Sequence, residues 1–138
     1  KGRSMRVVLD TNVLISGIFW GGVPQKILDA WERRQFEAYA TLEMLEEYQE
    51  IIARKSRHAR LDPRLITNGI ASRFHLVDPV ELAHQICDDP DDDMFIACAI
   101  SAGATHIVSG DNKLLSTSPL LACDVVTPRA FLNLLNAR

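Results

Sequence analysis

Short apolar runs alternate along the chain with stretches of helical period. "RVVLD" (6–10) is apolar without interruption up to a carboxylate, the pattern of a strand buried on both faces. A short helix follows it. "VPQKILDAWERR" (23–34) then repeats apolar residues at helical spacing, "FEAYAT" (36–41) alternates like a strand, and "LEMLEEYQEIIARK" (42–55) is strongly helical. The spacing predicts a basic loop over 56–64, a helix over 64–74 and a short strand over 75–78. An apolar helix over 93–103 ends at a glycine, as helices often do. A strand and turn (106–111), a strand (123–128) and a closing helix (129–137) complete the pattern. Strands alternating with helices imply βαβ units, hence an α/β fold with a mostly parallel central sheet and helices on both sides. In such sheets, sites form beyond the carboxyl ends of the strands, where the strand order switches.

Composition narrows the class without naming a function. With 138 residues, 47% apolar and 24% charged, the chain has the profile of a globular protein, and residues 5–138 are expected to form one domain. Lys1 to Ser4 precede Met5, a natural start, and are read as a remnant of recombinant expression outside the fold. No apolar run approaches the roughly 18 residues of a membrane span, and no membrane partner is expected. Cys87, Cys98 and Cys123 are odd in number and lack CxxC spacing, which fits a reduced, cytoplasmic protein. The four histidines show no zinc spacing. A net charge of −3 weighs against a nucleic-acid binder.

The acids are where the chemistry concentrates. Asp10 closes the first apolar strand, where Thr11 and Asn12 can cap the following helix and leave Asp10 free for a ligand role. In the helix over 42–55, Met44, Leu45, Tyr48, Ile51 and Ile52 share one face, while Glu43, Glu46 and Glu50 fall opposite. Glu47 lies on the border, between Met44 and Ile51, and is the one glutamate there that can be held at the edge of the sheet. "DDPDDDMFIACA" (88–99) carries five aspartates. One of Asp91, Asp92 or Asp93 is expected to cap the next helix, and the rest exceed what a cap needs. Asp111 follows Gly110 at a strand end. Like charges about 4 Å apart cost about 4 kcal/mol at an effective dielectric near 20. Converging acids of this kind hold protons or cations, and oxygen-only donors suit Mg²⁺ or Mn²⁺. Such a site favours phosphodiester hydrolysis.

The stretches "VVLDTNVLIS", "LEEYQEII", "DPDDDMFIACAISAGATHIVSGDNKLL" and "VVTPRAFL" together resemble PIN-domain proteins, in particular small bacterial and archaeal members described as toxins of toxin–antitoxin pairs (VapC-like). The resemblance implies a three-layer αβα sandwich and an Mg²⁺- or Mn²⁺-dependent endoribonuclease that leaves a 5′-phosphate and a 3′-hydroxyl. Its metal-binding and catalytic acids would be Asp10, Glu47, Asp92 and Asp111. Asp92 is preferred over Asp93 because the family pattern places the acid seven residues before Ala99. Asp93 and Asp89 would support the site, and Thr11 and Asn12 match a polar pair that orients the first acid. The resemblance further implies an RNA substrate, a cognate antitoxin and a homodimer. Arg54, Lys55, Arg57 and Arg60, with His58 and Arg64 beside them, are candidate contacts for an RNA backbone. Trp20, in the Gly-rich "GIFWGG", is a candidate for stacking on a base or packing in an interface. A non-catalytic PIN scaffold and a phosphatase using Asp10 as phosphate acceptor are the rival readings. The latter is disfavoured because position 12 is Asn rather than a second aspartate.

Overall fold

Strand β1 (Met5–Leu9) buries Val7, Val8 and Leu9 completely, so the unbroken apolar run is the centre of the sheet. A computed structural model describes residues 5–120 and 122–138; Lys1 to Ser4 lie outside them. After β1 come α1 (Thr11–Phe19), α2 (Gly22–Glu32), β2 (Phe36–Ala40), α3 (Leu42–Ala59), α4 (Pro63–Ala71) and β3 (His75–Leu76). A single 3₁₀ turn (Pro90–Asp92) leads into α5 (Asp93–Ala102). Next are β4 (His106–Val108), α6 (Asn112–Leu115), β5 (Asp124–Val126) and α7 (Pro128–Asn136). The five strands run in the order β3-β2-β1-β4-β5, and every pairing is parallel. The expected α/β class and sandwich layering hold, and the sheet is wholly parallel where a mostly parallel one was expected.

Right-handed crossovers put the helices that lead outward from β1 to β3 on one face and the returning helix α5 on the other. Side-chain packing agrees. Phe74 packs its ring on Trp31 of α2 and Tyr48 of α3, at centroid distances of 4.7 and 5.3 Å, while α5 lies against β1, β2 and β4. β1 pairs with β2 on one side and β4 on the other. The chain leaves β1 toward β2 and returns later through β4, so the strand order switches between β1 and β4. This is the place where an open parallel sheet forms a crevice.

Several boundaries differ from the pattern. The loop expected over 56–64 is largely helix. α3 runs on to Ala59 because Ser56 continues its buried stripe of Met44, Tyr48 and Ile52. It stops only at Arg60, in the left-handed conformation, and the Asp62–Pro63 step starts α4. The strands expected over 75–78 and 123–128 keep two and three residues, since pairing extends only as far as the neighbouring strand supplies partners. The Gly-rich segment around Trp20 is a tight junction: Trp20 ends α1, donating its N–H to Ser16 O, and is 73% exposed. Gly103 closes α5 at φ 63°, as its position predicts. Among the described residues no helix is long and apolar enough to cross a membrane.

Candidate active site

Asp10 is the first residue beyond β1, and its backbone N–H continues the ladder to Val108 O at 3.0 Å. That bond holds it at the switch point, where it is 6% exposed. It occupies the N-cap position of α1, yet its side chain makes no cap hydrogen bond. Instead Ser109 Oγ donates to Asp10 Oδ2 at 2.6 Å and accepts the Asp111 N–H at 3.0 Å. Burial raises the Asp10 pKa above the usual carboxylate value. The bonds from Ser109 and the Thr11 N–H oppose that rise, and the charges of Asp111 and Glu47 add to it.

Thr11 and Asn12 were expected to cap α1, and they do not. The Thr11 hydroxyl donates a short bond to Glu47 Oε2, so it orients the second acid rather than the first, while Asn12 is exposed. Glu47 is half-buried and Glu43, Glu46 and Glu50 are exposed, as the helical geometry requires. Its neighbour Tyr48 is fully inside and donates its hydroxyl to Leu9 O at 2.5 Å. This bond ties α3 to the end of β1 and sets where Glu47 stands. Burial pushes the Tyr48 hydroxyl well above its ordinary pKa, with Cys98, Asp10 and Glu47 adding to the shift.

The aspartate cluster divides by role. Asp89 caps the 3₁₀ turn by accepting the Asp91 N–H at 3.0 Å. The N-cap position of α5, expected for one of Asp91, Asp92 or Asp93, is held by Asp92, whose side chain makes no cap hydrogen bond. Asp93 accepts from the backbone N–H groups of Ile86 and Cys87 at 3.0 and 2.7 Å. Its carboxylate is thus spent on holding the preceding loop. Asp92 is left over. Its Oδ2 is buried without a hydrogen-bond donor, and its carboxyl lies within hydrogen-bonding reach of Asp111. Two carboxylates so placed can satisfy each other only by sharing a proton or a cation. Burial, then the charges of Asp10, Asp89 and Asp111, push Asp92 up to about 7. Asp111 also caps α6, accepting the Lys113 N–H at 2.9 Å.

Asp10, Glu47, Asp92 and Asp111 therefore come from four separate segments into one field. Among the described residues no Lys, Arg or His forms an ion pair with any of them. The donors are all oxygens, a set suited to a hard divalent ion. The buried, donorless oxygen of Asp92 is the feature such an ion would satisfy. Even so, among the described residues no group of three or more Asp, Glu, His or Cys side chains is arranged to hold a metal ion as it stands.

The cationic residues sit apart. Arg54, Lys55 and Arg57 are exposed on the last turns of α3 and Arg60 at its C-cap, roughly 10–20 Å beyond Glu47 at 1.5 Å per residue. Arg54 is partly neutralised by Glu50 at 3.1 Å. Ser109 and Tyr48 are the contributors that sequence reasoning missed. Tyr48 stands on the buried stripe of α3 and Ser109 directly after β4, and nothing local marks either as a partner of the acids. All three cysteines are buried free thiols.

No curated protein matches the chain. Among solved structures, the crystal structure of PAE2754 from Pyrobaculum aerophilum matches with a TM-score of 0.65 at 14% identity, covering 98% of this chain and 91% of that one. At that identity the likeness speaks for the fold. A family model described as PIN domain matches residues 6–113, a span that contains Asp10, Glu47, Asp92 and Asp111. The wholly parallel sheet, the acids gathered at its switch point and that match lead to one conclusion: the chain belongs to the PIN-domain family.

Proposed function

We propose that this protein is an Mg²⁺- or Mn²⁺-dependent endoribonuclease, with Asp10, Glu47, Asp92 and Asp111 as its catalytic and metal-binding acids. PIN domains are generally nucleases that use divalent metals. The observation that carries the reading is the buried, donorless Oδ2 of Asp92 beside Asp111 and Asp10, with no ion pair to these acids among the described residues. A bound divalent ion would offset that repulsion, neutralise the scissile phosphate and make a water nucleophilic for in-line attack. The chain's own residues supply the orientation. Ser109 holds Asp10, and through Asp111 N–H it also fixes the start of α6. Thr11 turns Glu47 toward the same field, and Asp93 locks the loop that delivers Asp92. Thr11, Asn12, Asp89 and Asp93 are supporting residues in this reading, and Arg54, Lys55, Arg57 and Arg60 attract the RNA backbone from the far end of α3. Attraction of this kind raises encounter rates at low salt.

The same reading makes residues 5–138 one domain of a cytoplasmic homodimer that serves as the toxin of a pair silenced by a cognate antitoxin. Structured RNA incubated with purified protein is expected to be cut in Mg²⁺ or Mn²⁺ and spared in chelator or by Asp10→Asn. Cleavage that persists in chelator would overturn the metal requirement. Growth arrest on expression, relieved by Asp10→Asn, is the expected sign of a toxin. A second reading, a PIN scaffold that binds RNA without cutting, draws on the lack of a group arranged to hold a metal ion among the described residues. It predicts equal RNA binding with and without chelator.

A further inference from the structure

Beside the acids lies a cleft of about 610 Å³ that shares one wall with them, Glu47. A volume in this range suits a small ligand of roughly nucleoside size or larger. Its apolar surface comes from Pro79, Val80, Leu82 and Met94, on the loop after β3 and the first turn of α5. Most polar side chains around it are carboxylates, and the exposed His84 adds a ring that can donate or accept. Glu43 and Asp91 are exposed carboxylates that form no ion pair among the described residues. The Gln85 amide nitrogen is already spent on Cys87 O at 2.8 Å and Asp88 O at 3.3 Å, which leaves its carbonyl oxygen to offer. Asp93 is spent on the loop backbone.

A phosphate entering this cleft would meet Glu43, Glu47 and Asp91 together and be repelled. A neutral, flat group with N–H donors on its edge is what the surface accepts: apolar contacts for its face and carboxylates for its rim. RNA supplies such a group when a base is unpaired, because its Watson–Crick edge is then free. We propose that the cleft receives one unpaired nucleobase next to the phosphate held at the acids, and that its carboxylate rim selects bases with adjacent N–H donors, guanine foremost and uracil least. The proposal rests on the nuclease reading for its setting, through the shared Glu47. Guanine's neighbouring N1–H and N2–H₂ can meet both oxygens of one carboxylate, whereas uracil offers a single N–H between two carbonyls that the same rim repels. Bonds of this type to a charged acceptor correspond to at least about tenfold in affinity.

Neutral nucleosides test the cleft without any cleavage. Guanosine and uridine are titrated into methyl-labelled protein, following the Met94 and Leu82 resonances. Guanosine is expected to shift both, with a Kd at least about tenfold below that of uridine. Leu82→Trp, which fills the cleft, abolishes the shift of Met94. Glu43→Gln, a change at an exposed position, brings the two nucleosides to within about twofold of each other while the rest of the spectrum stays that of the folded protein. Equal shifts from both nucleosides, or none, overturn the proposal. In Mn²⁺, an oligouridylate with one guanine is expected to be cut beside it with kcat/KM at least about tenfold above that of the all-uridine strand. Equal cutting of both strands sinks the base pocket and leaves the nuclease standing. Selective guanosine binding without cleavage of any RNA keeps the pocket and removes the nuclease.

Discussion

Asp10 keeps a carboxylate almost out of solvent through the Ser109 hydroxyl and the Thr11 N–H. Replacing Ser109 with Ala removes the 2.6 Å donor to Asp10 and the acceptor of the Asp111 N–H together. A buried polar group stripped of its partner costs about 1–3 kcal/mol, so Ser109→Ala is expected to lower the melting temperature at neutral pH and to weaken Mn²⁺ binding, read by calorimetric titration. Asp92 gives the pH dependence. Its carboxyl sits at about 7 in the fold against 3.8 when exposed. Between those values the native state retains a proton that the unfolded chain has released. This contribution to stability is therefore fully present below about pH 4 and is lost as the pH rises through about 7. Metal-free protein is expected to melt at a lower temperature near pH 8 than near pH 5, and Asp92→Asn to flatten that fall. A divalent ion competes with the same proton, so its apparent affinity should climb over the same interval. An affinity independent of pH would speak against Asp92 as a ligand.

Helix α3 does two tasks with one periodicity. Its buried stripe of Met44, Tyr48, Ile52 and Ser56 packs inward, and the residue between Met44 and Tyr48 on the border of that stripe is the one glutamate that reaches the switch point. Tyr48 fixes the helix along its axis through Leu9 O. Tyr48→Phe keeps the ring packing on Phe74 and orphans that carbonyl. Expected are a loss of about 1–3 kcal/mol, seen in denaturant unfolding, and a weaker response to metal because Glu47 is no longer held in register. Unchanged stability would show that the Leu9 carbonyl finds another donor. The same helix carries cationic residues at its other end, so a protein of net charge −3 has a basic stretch set apart from the four acids of the site, none of which forms an ion pair among the described residues. RNA binding through Arg54, Lys55, Arg57 and Arg60 is expected to weaken steeply with salt, and an Arg57→Ala/Arg60→Ala pair to reduce that salt slope by about 2.

The whole molecule is a frame that forces charges together. Its parallel sheet brings the ends of β1 and β4 side by side, and α3 and α5 present their own acids from the helical layers. Removing one charge should relieve the rest: Asp10→Asn is expected to leave the metal-free protein as stable as the parent or more so. Divalent ion at about 100 times its Kd should stabilise the parent by about 2.7 kcal/mol and the variant hardly at all, measured by thermal melts with and without chelator. The sequence by itself determined the order and type of the long elements, because their apolar periods are set by backbone geometry. It also determined that Glu47, and no other glutamate of α3, lies at the border of the buried face. The readings of Thr11 as a cap and of residues 56–64 as a loop depended on nearest-neighbour chemistry, and partners beyond it overrode them. Thr11 turned to Glu47, Ser56 was drawn inside, and Asp93 was taken by the backbone of Ile86 and Cys87. Only the tertiary structure could decide these, and with them the roles of Ser109 and Tyr48, because a hydrogen bond between residues 99 or 39 positions apart leaves no trace in local pattern.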